Sequence, residues 1–332
     1  MEKIKQFFTQ NPSFDIRRRK KALNKATSFA YSILRMLILL AIGYIIIYPL
    51  LYMIVTSLRS RDSYFDSARV WLPSGVDVLF NYKMAIKATD FWNGLKQTLI
   101  LEIVAGGIEI ITCAIVAYGF ARFKFKLKPV LIACLFLTIL IPETMIIIPR
   151  VVNYSHMDFF GILGAIGKLT GTDLRPNIIG TPLAFWLPSL FAMGLRSGIL
   201  IYIYIQFFKG LPYELEEASW VDGAGPIRTF VSIALPSSGV VFTTVTVFSI
   251  IWHWNDNILA PMYVSSNYPL AVQLERIESY LNALGYFANN SNPDTMSFYM
   301  AACFLFILPM LIFYMFMQRG FIESIDRVGI TG

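Results

Sequence analysis

Glu109, Glu143 and Arg196 stand inside apolar runs of a chain of 332 residues, 15% of them charged. A charge at the centre of a membrane helix costs about 2.5–3.5 kcal/mol or more, so such residues pair or face a wet path. Counting along helices from Arg122, Lys128 and Lys209 puts all three at one level, about 20 Å from the same interface. This candidate charge cluster predicts that Arg196 faces the bundle interior and pairs with Glu109 or Glu143. The competing reading is that Arg196 reaches out to the headgroups. A second group, Trp252, Trp254 and Asn255 with Tyr263 nearby, joins aromatic faces to an amide. Those rings suit stacking on a sugar ring along a substrate path, or an aromatic belt at the membrane interface.

Other chemistry is excluded. The two histidines, His156 and His253, lack the clustered ligands of a zinc site. Cys113, Cys134 and Cys303 lie far apart in apolar runs and read as small buried side chains. Gly161–Lys168 imitates a phosphate loop, but the spacing from Gly to Lys is wrong and Leu169 replaces the hydroxyl that would hold magnesium. No nucleophile and base stand together, so no enzyme and no catalytic residue is expected. The chain holds no cofactor or metal of its own in this reading.

The segment 212–236 is polar between two apolar runs. Pro212 suits a first helical turn, and Glu214, Glu216 and Glu217 favour its positive end. Gly223 accepts the left-handed conformation that ends a helix. Pro226 opens a second short helix, and Pro236 breaks it. The result is a compact helical hairpin fixed between two spans, able to pass force between a soluble partner and the membrane.

The elements that must carry these groups are membrane helices. The chain is 56% hydrophobic, whereas a soluble domain is about a quarter charged. Its net charge of +7 resides in residues flanking apolar runs rather than in a nucleic-acid-binding stretch. No charge interrupts Met36–Leu58, long enough to cross a core of about 30 Å. Further spans are expected at 97–120, 129–149, a fourth ending at Phe208 with an uncertain start, 237–254 and 297–317. The first run opens near residue 30 after a basic segment and is longer than a signal-peptide core, which predicts a retained anchor. Sixteen Lys and Arg fall on one side of this scheme and ten in the longer loops opposite. The fold class is therefore all-α: a polytopic membrane protein of six transmembrane helices with both termini cytoplasmic. Its parts are a basic segment 1–28, a six-helix transmembrane bundle 29–320 and a tail 321–332. Loops 59–95, 150–178 and 255–295 fall outside.

The 212–236 segment resembles the EAA loop of ABC-importer permeases: Glu-Ala-Ala, three residues, Gly, nine residues, Ile, any residue, Leu-Pro. Glu217, Ala218 and Ser219 open it, Gly223 follows Asp222 at the right spacing, and Ile233, Leu235 and Pro236 close it. Ser219 for the second Ala is the one departure. Gln206–Pro212, Trp254–Pro261 and Gln318–Phe321 are similar to the carbohydrate-uptake branch, in particular the smaller permease of maltose-type systems. The resemblance implies a sugar or oligosaccharide importer in a bacterial cytoplasmic (inner) membrane. The loop would dock as a coupling helix on the ATPase. Implied partners are a second permease subunit, two ATP-binding subunits that use ATP, an extracellular solute-binding protein and membrane lipid, with no nucleic acid. The tail would contact the ATPase pair, and sugar contacts would come mainly from the other permease. A permease for a polyamine or glycerol phosphate remains the alternative, with an ion-coupled carrier behind it.

Overall fold

A computed structural model describes residues 12–60, 63, 71–158, 161–283, 285–286 and 295–330, with side chains left undescribed at 12–19, 22, 26 and 322–330. The beginning of the basic segment (1–11), most of 61–70, residues 159–160, most of 284–294 and the last two residues lie outside the described residues. The described chain is helical, with one isolated antiparallel bridge between Arg59 and Val76.

Among the described residues, three helices are long and apolar enough to cross a membrane. The first lies within α1, Pro12–Leu58. After α2, Val78–Ala88, the second is α3, Phe91–Arg122. The third opens α15, Met296–Ile330, after which the helix continues, so the expected polar tail is helical through Ile330. Ile45 and Ile46 of α1 are 69% and 64% exposed, as suits a helix whose solvent is hydrocarbon.

The expected third span is not one straight helix. α4, Lys128–Leu140, meets α5, Glu143–Ser155, at an angle of 104°. The break falls at Ile141 and Pro142; proline disfavours the helical conformation in the residue before it. α6, Ile162–Thr170, and α7, Leu183–Leu190, follow. The uncertain start of the fourth span resolves at α8, Ser197–Gly210, which at 14 residues is shorter than the other expected spans. Next come α9, Tyr213–Val221, α10, Pro226–Ser237, and α11, Gly239–Trp254, the last two bent by 81°. Phe230–Ala234 within α10 is π-helical. Pro236 explains this: its ring cannot lie over the carbonyl four residues back, and a wider turn relieves the clash. Short helices α12, Ala260–Tyr263, α13, Leu270–Glu275, and α14, Ile277–Ala283, lead to α15.

α3 is the central element, packed by α8, α11 and α7. Its buried face is small: Ala105, Gly106, Cys113, Ala114 and Ala117. Small residues let membrane helices approach closely. A Cβ on Gly106 would lie 2.9 Å from the His253 ring. Towards the hairpin the core turns aromatic, with Tyr204 stacked on Phe208 at 5.9 Å and Phe230 5.0 Å from Tyr118. Of the cysteines, Cys113 is buried as expected, but Cys134 is exposed on α4 and Cys303 half-buried.

Candidate functional site

The hairpin forms as its sequence dictates. Gly223 adopts φ 79°, its N–H donates to the Trp220 carbonyl at 3.0 Å and the Ala224 N–H to that of Ser219 at 3.0 Å. This pair of bonds is a Schellman closure, which satisfies the orphan carbonyls at the end of α9. The Ser219 hydroxyl lies 3.2 Å from that of Thr229, tying α9 to α10. Ser219 is thus more than a small substitute for alanine: it stitches the two arms.

The anchor is Arg122, at the end of α3. Its Nε lies 2.8 Å from Oε1 of Glu216, and both side chains are buried. Arg122 also donates to the Leu211 carbonyl at 2.6 Å and covers the Tyr213 ring at 4.3 Å. No local pattern marks this pair: in the sequence Glu216 reads only as a favourable charge at a helix start and Arg122 only as the end of a span. Glu217, Ala218, Asp222 and Gly223 are exposed, Ile233 and Leu235 are half-buried, and Pro236 is exposed. Beside them Val221 and Ile227 are 87% and 81% exposed, with Tyr213, Leu215 and Trp220 also outward. The hairpin is rigidly held from behind and presents apolar residues in front.

The second assembly lies deep between α3, α8 and α11. His253 Nδ1 is 2.9 Å from Glu102 Oε2, and Nε2 is 2.9 Å from Glu109 Oε2. Glu109 also accepts a short hydrogen bond from the Ser197 hydroxyl. Glu102 lies in a π-helical turn, Thr98–Ile103, which is tied to α13: the Thr98 hydroxyl accepts from the Leu270 N–H at 2.8 Å. An imidazolium here finds a carboxylate for each N–H, the arrangement a buried charge requires. His253 was dismissed in the sequence because no zinc ligands surround it; its partners are two carboxylates of α3.

The predicted pairing of the Arg196 guanidinium with a carboxylate is corrected. Arg196 caps α8 in the left-handed region, φ 57°, rather than sitting within a span. Its backbone N–H, an orphan of the helix start, donates to Glu143 Oε1 at 2.9 Å. Its guanidinium lies over Trp252, 5.1 Å from the ring centroid. Glu109 is already engaged by His253 and Ser197. The three residues converge nonetheless: Glu143 and Glu109 hold successive residues, Arg196 and Ser197, of one turn.

Glu143, Arg196, Trp252 and Asn255 line a cleft of about 510 Å³, together with the 255–259 loop. Asp256 shapes that loop by accepting the N–H groups of Ile258, Leu259 and Ala260. Trp254 does not reach the cleft. It is buried, and its Nε1 donates to the Phe306 carbonyl at 3.2 Å. Tyr263 is likewise internal, against Tyr154 and Phe185.

The model of the family described as "Binding-protein-dependent transport system inner membrane component" matches residues 110–327. The chain belongs to this family. It is therefore a multi-pass inner-membrane permease subunit of a transporter complex, not an enzyme. The permease is 24% identical over 281 residues to a probable starch degradation products transport system permease protein, AmyC, of Thermoanaerobacterium thermosulfurigenes (83% of this chain, 89% of the relative). It is 24% identical over 294 residues to the trehalose transport system permease protein SugB of Mycobacterium tuberculosis (88% and 95%). It is 24% identical over 287 residues to the sn-glycerol-3-phosphate transport system permease protein UgpE of Salmonella typhi (85% and 91%). A chain of a bacterial ABC transporter involved in import of the acidic polysaccharide alginate shares its fold, with TM-score 0.65, 16% identity and coverage of 88% of this chain and 97% of that one.

Proposed function

We propose that this permease forms half of the translocation path of an ATP-driven importer for a sugar or oligosaccharide. The observation that carries the coupling part is the hairpin: buried Arg122–Glu216 holds it from behind while Val221 and Ile227 stand exposed in front. A projection of this kind loses apolar surface only when a soluble partner covers it. The partner is an ATPase subunit, one of two, beneath this chain and a second permease, with a solute-binding protein above. Closure of the ATPases on ATP moves the hairpin, and through Arg122 it moves α3. Alternating access follows from relative motion of the two permeases. The chain crosses the membrane six times, both termini and the hairpin are cytoplasmic, and the tail 321–332 lies against the ATPase pair. The bound cofactor of the system is the ATP of those partners.

The names of AmyC and SugB favour a sugar. UgpE supports a second reading, a glycerol phosphate. Reconstitution of the complete complex in proteoliposomes separates them. ATP-dependent uptake of a neutral sugar presented by the binding protein is expected. Uptake of sn-glycerol-3-phosphate with no sugar transported would establish the second reading. Transport that persists without ATP would overturn both.

A further inference from the structure

The cleft is built where three helices break. α4 and α5 part at Ile141 and Pro142, α8 begins at Arg196, and α11 ends at Trp254 before an irregular loop. Broken backbone exposes N–H and C=O groups, which hydrocarbon does not satisfy. At membrane depth it is tolerated where protein buries it or where it lines a wet cavity. One of the breaks is also strained, since arginine rarely adopts φ near +57°. Such strain persists where the surroundings over-determine it, and it gathers at ligand sites.

We propose that this cleft is a solute subsite for a neutral, hydroxyl-rich ligand, with Arg196 and Glu143 as its paired donor and acceptor. The inference rests on the sugar-permease reading and adds the site and its selectivity. Each hydroxyl of a sugar both donates and accepts, so recognition needs both kinds of partner. The Arg196 fork supplies donors only, and Glu143 supplies acceptors only. One Glu143 oxygen is taken by the Arg196 N–H, which fixes the carboxylate and leaves its other oxygen for the solute. The Asn255 and Asn257 amides line the same cleft and offer both functions. Trp252 provides an apolar wall, stiffened by Phe248 stacked at 5.5 Å. Apolar walls with a few fixed polar groups are the usual form of a small-molecule site.

The charge selects against anions. The ionisable residues lining the cleft are Glu143, Asp256 and Arg196. Asp256 is spent on the N–H groups of its own loop, but the Glu143 carboxylate stands beside Arg196, so a phosphate or uronate drawn to the guanidinium would meet like charge where a neutral hydroxyl finds an acceptor.

Arg196→Gly is the discriminating variant. Glycine takes the left-handed turn without strain and keeps the N–H that Glu143 accepts, while the guanidinium is deleted. The complete complex in nanodiscs, without binding protein, is examined by saturation-transfer NMR with millimolar trehalose and, separately, sn-glycerol-3-phosphate. Trehalose is expected to receive saturation from the wild type and at least threefold less from Arg196→Gly. Glycerol phosphate is expected to receive little from the wild type. Asn257→Ala, on an exposed loop position, provides an independent reduction of about threefold. Threefold is about 0.65 kcal/mol, within the range of one net hydrogen bond, here a sugar-amide bond. Equal trehalose signals in all three proteins, no trehalose signal in the wild type, or a stronger signal from glycerol phosphate would overturn the subsite. Sugar uptake by the wild type is measured in parallel. If uptake occurs and the subsite signals fail, only the subsite is lost; if no sugar is transported, the underlying reading fails.

Discussion

Arg122 and Glu216 meet 2.8 Å apart with both side chains buried, joining the end of the central helix to the first helix of the hairpin. The pair makes α3 and the hairpin one lever. Breaking a buried ion pair by deleting one partner leaves the other charge uncompensated, at a cost of about 3–5 kcal/mol. Glu216→Ala is therefore expected to loosen the hairpin and uncouple ATP hydrolysis from uptake in the reconstituted complex. Arg122→Ala should do the same and also lose the contact to Leu211. Full coupling in both variants at normal assembly would contradict the lever.

Gly223 tests the turn separately from the surface it presents. A Cβ there meets nothing within 4 Å, so substitution acts through the backbone. A left-handed residue other than glycine costs about 1–2 kcal/mol, and asparagine tolerates it better than most. Gly223→Val should sharply reduce ATPase association while leaving membrane insertion intact. Gly223→Asn should retain at least half of wild-type uptake. Equal loss in both would mean that the exposed position itself, and not the turn, is what the partner requires.

Much of this was legible in the residues. Met36–Leu58 reads as a span because no charge interrupts it, and Gly223 reads as a helix stop because only a left-handed residue ends α9 there. The breaks were less legible. Pro142 and Arg196 sit in apolar runs, and composition alone does not distinguish a kinked pair from a straight helix. Arg196 looked like a buried charge in search of a carboxylate because the sequence hides that it caps a helix, where its amide is the group that needs a partner. Pairings between distant segments left no local trace. Glu102 is 151 positions from His253, and no periodicity marks either as the other's partner.

A surface carboxylate gives a pH test outside the spans. Asp173 accepts from the Arg175 side chain at 2.8 and 2.9 Å, and these bonds hold its pKa down to about 2. A carboxylate depressed in the folded state stabilises its loop above the ordinary value near 3.8, and that contribution is lost as pH falls through about 2. The pair is exposed, so the effect is local and salt-sensitive. Carbon-13 NMR of aspartate-labelled protein, with Asp173→Asn to assign the resonance, should find it titrating near 2. Arg175→Gln should return it towards 4. An unchanged titration in Arg175→Gln would show that the arginine is not the cause.

The buried His253 bridge makes the sharpest stability prediction. His253→Gln removes the ring whose two nitrogens face Glu102 and Glu109, leaving those two side chains without the partner they share. The loss should approach the few kcal/mol expected of a broken buried pair. Neutralising one carboxylate at the same time removes part of what has been left uncompensated. Glu102→Gln combined with His253→Gln should therefore be more stable than His253→Gln alone, although Glu102→Gln alone is destabilising. Glu109→Gln is the poorer second variant, because Glu109 also accepts from Ser197 and its loss disturbs the start of α8. Thermal unfolding of the four proteins closes a double-mutant cycle, and residues in one network are expected to couple by about 0.5–3 kcal/mol. Strictly additive losses would mean that His253 and Glu102 act independently, and that the bridge is not what holds α11 against α3.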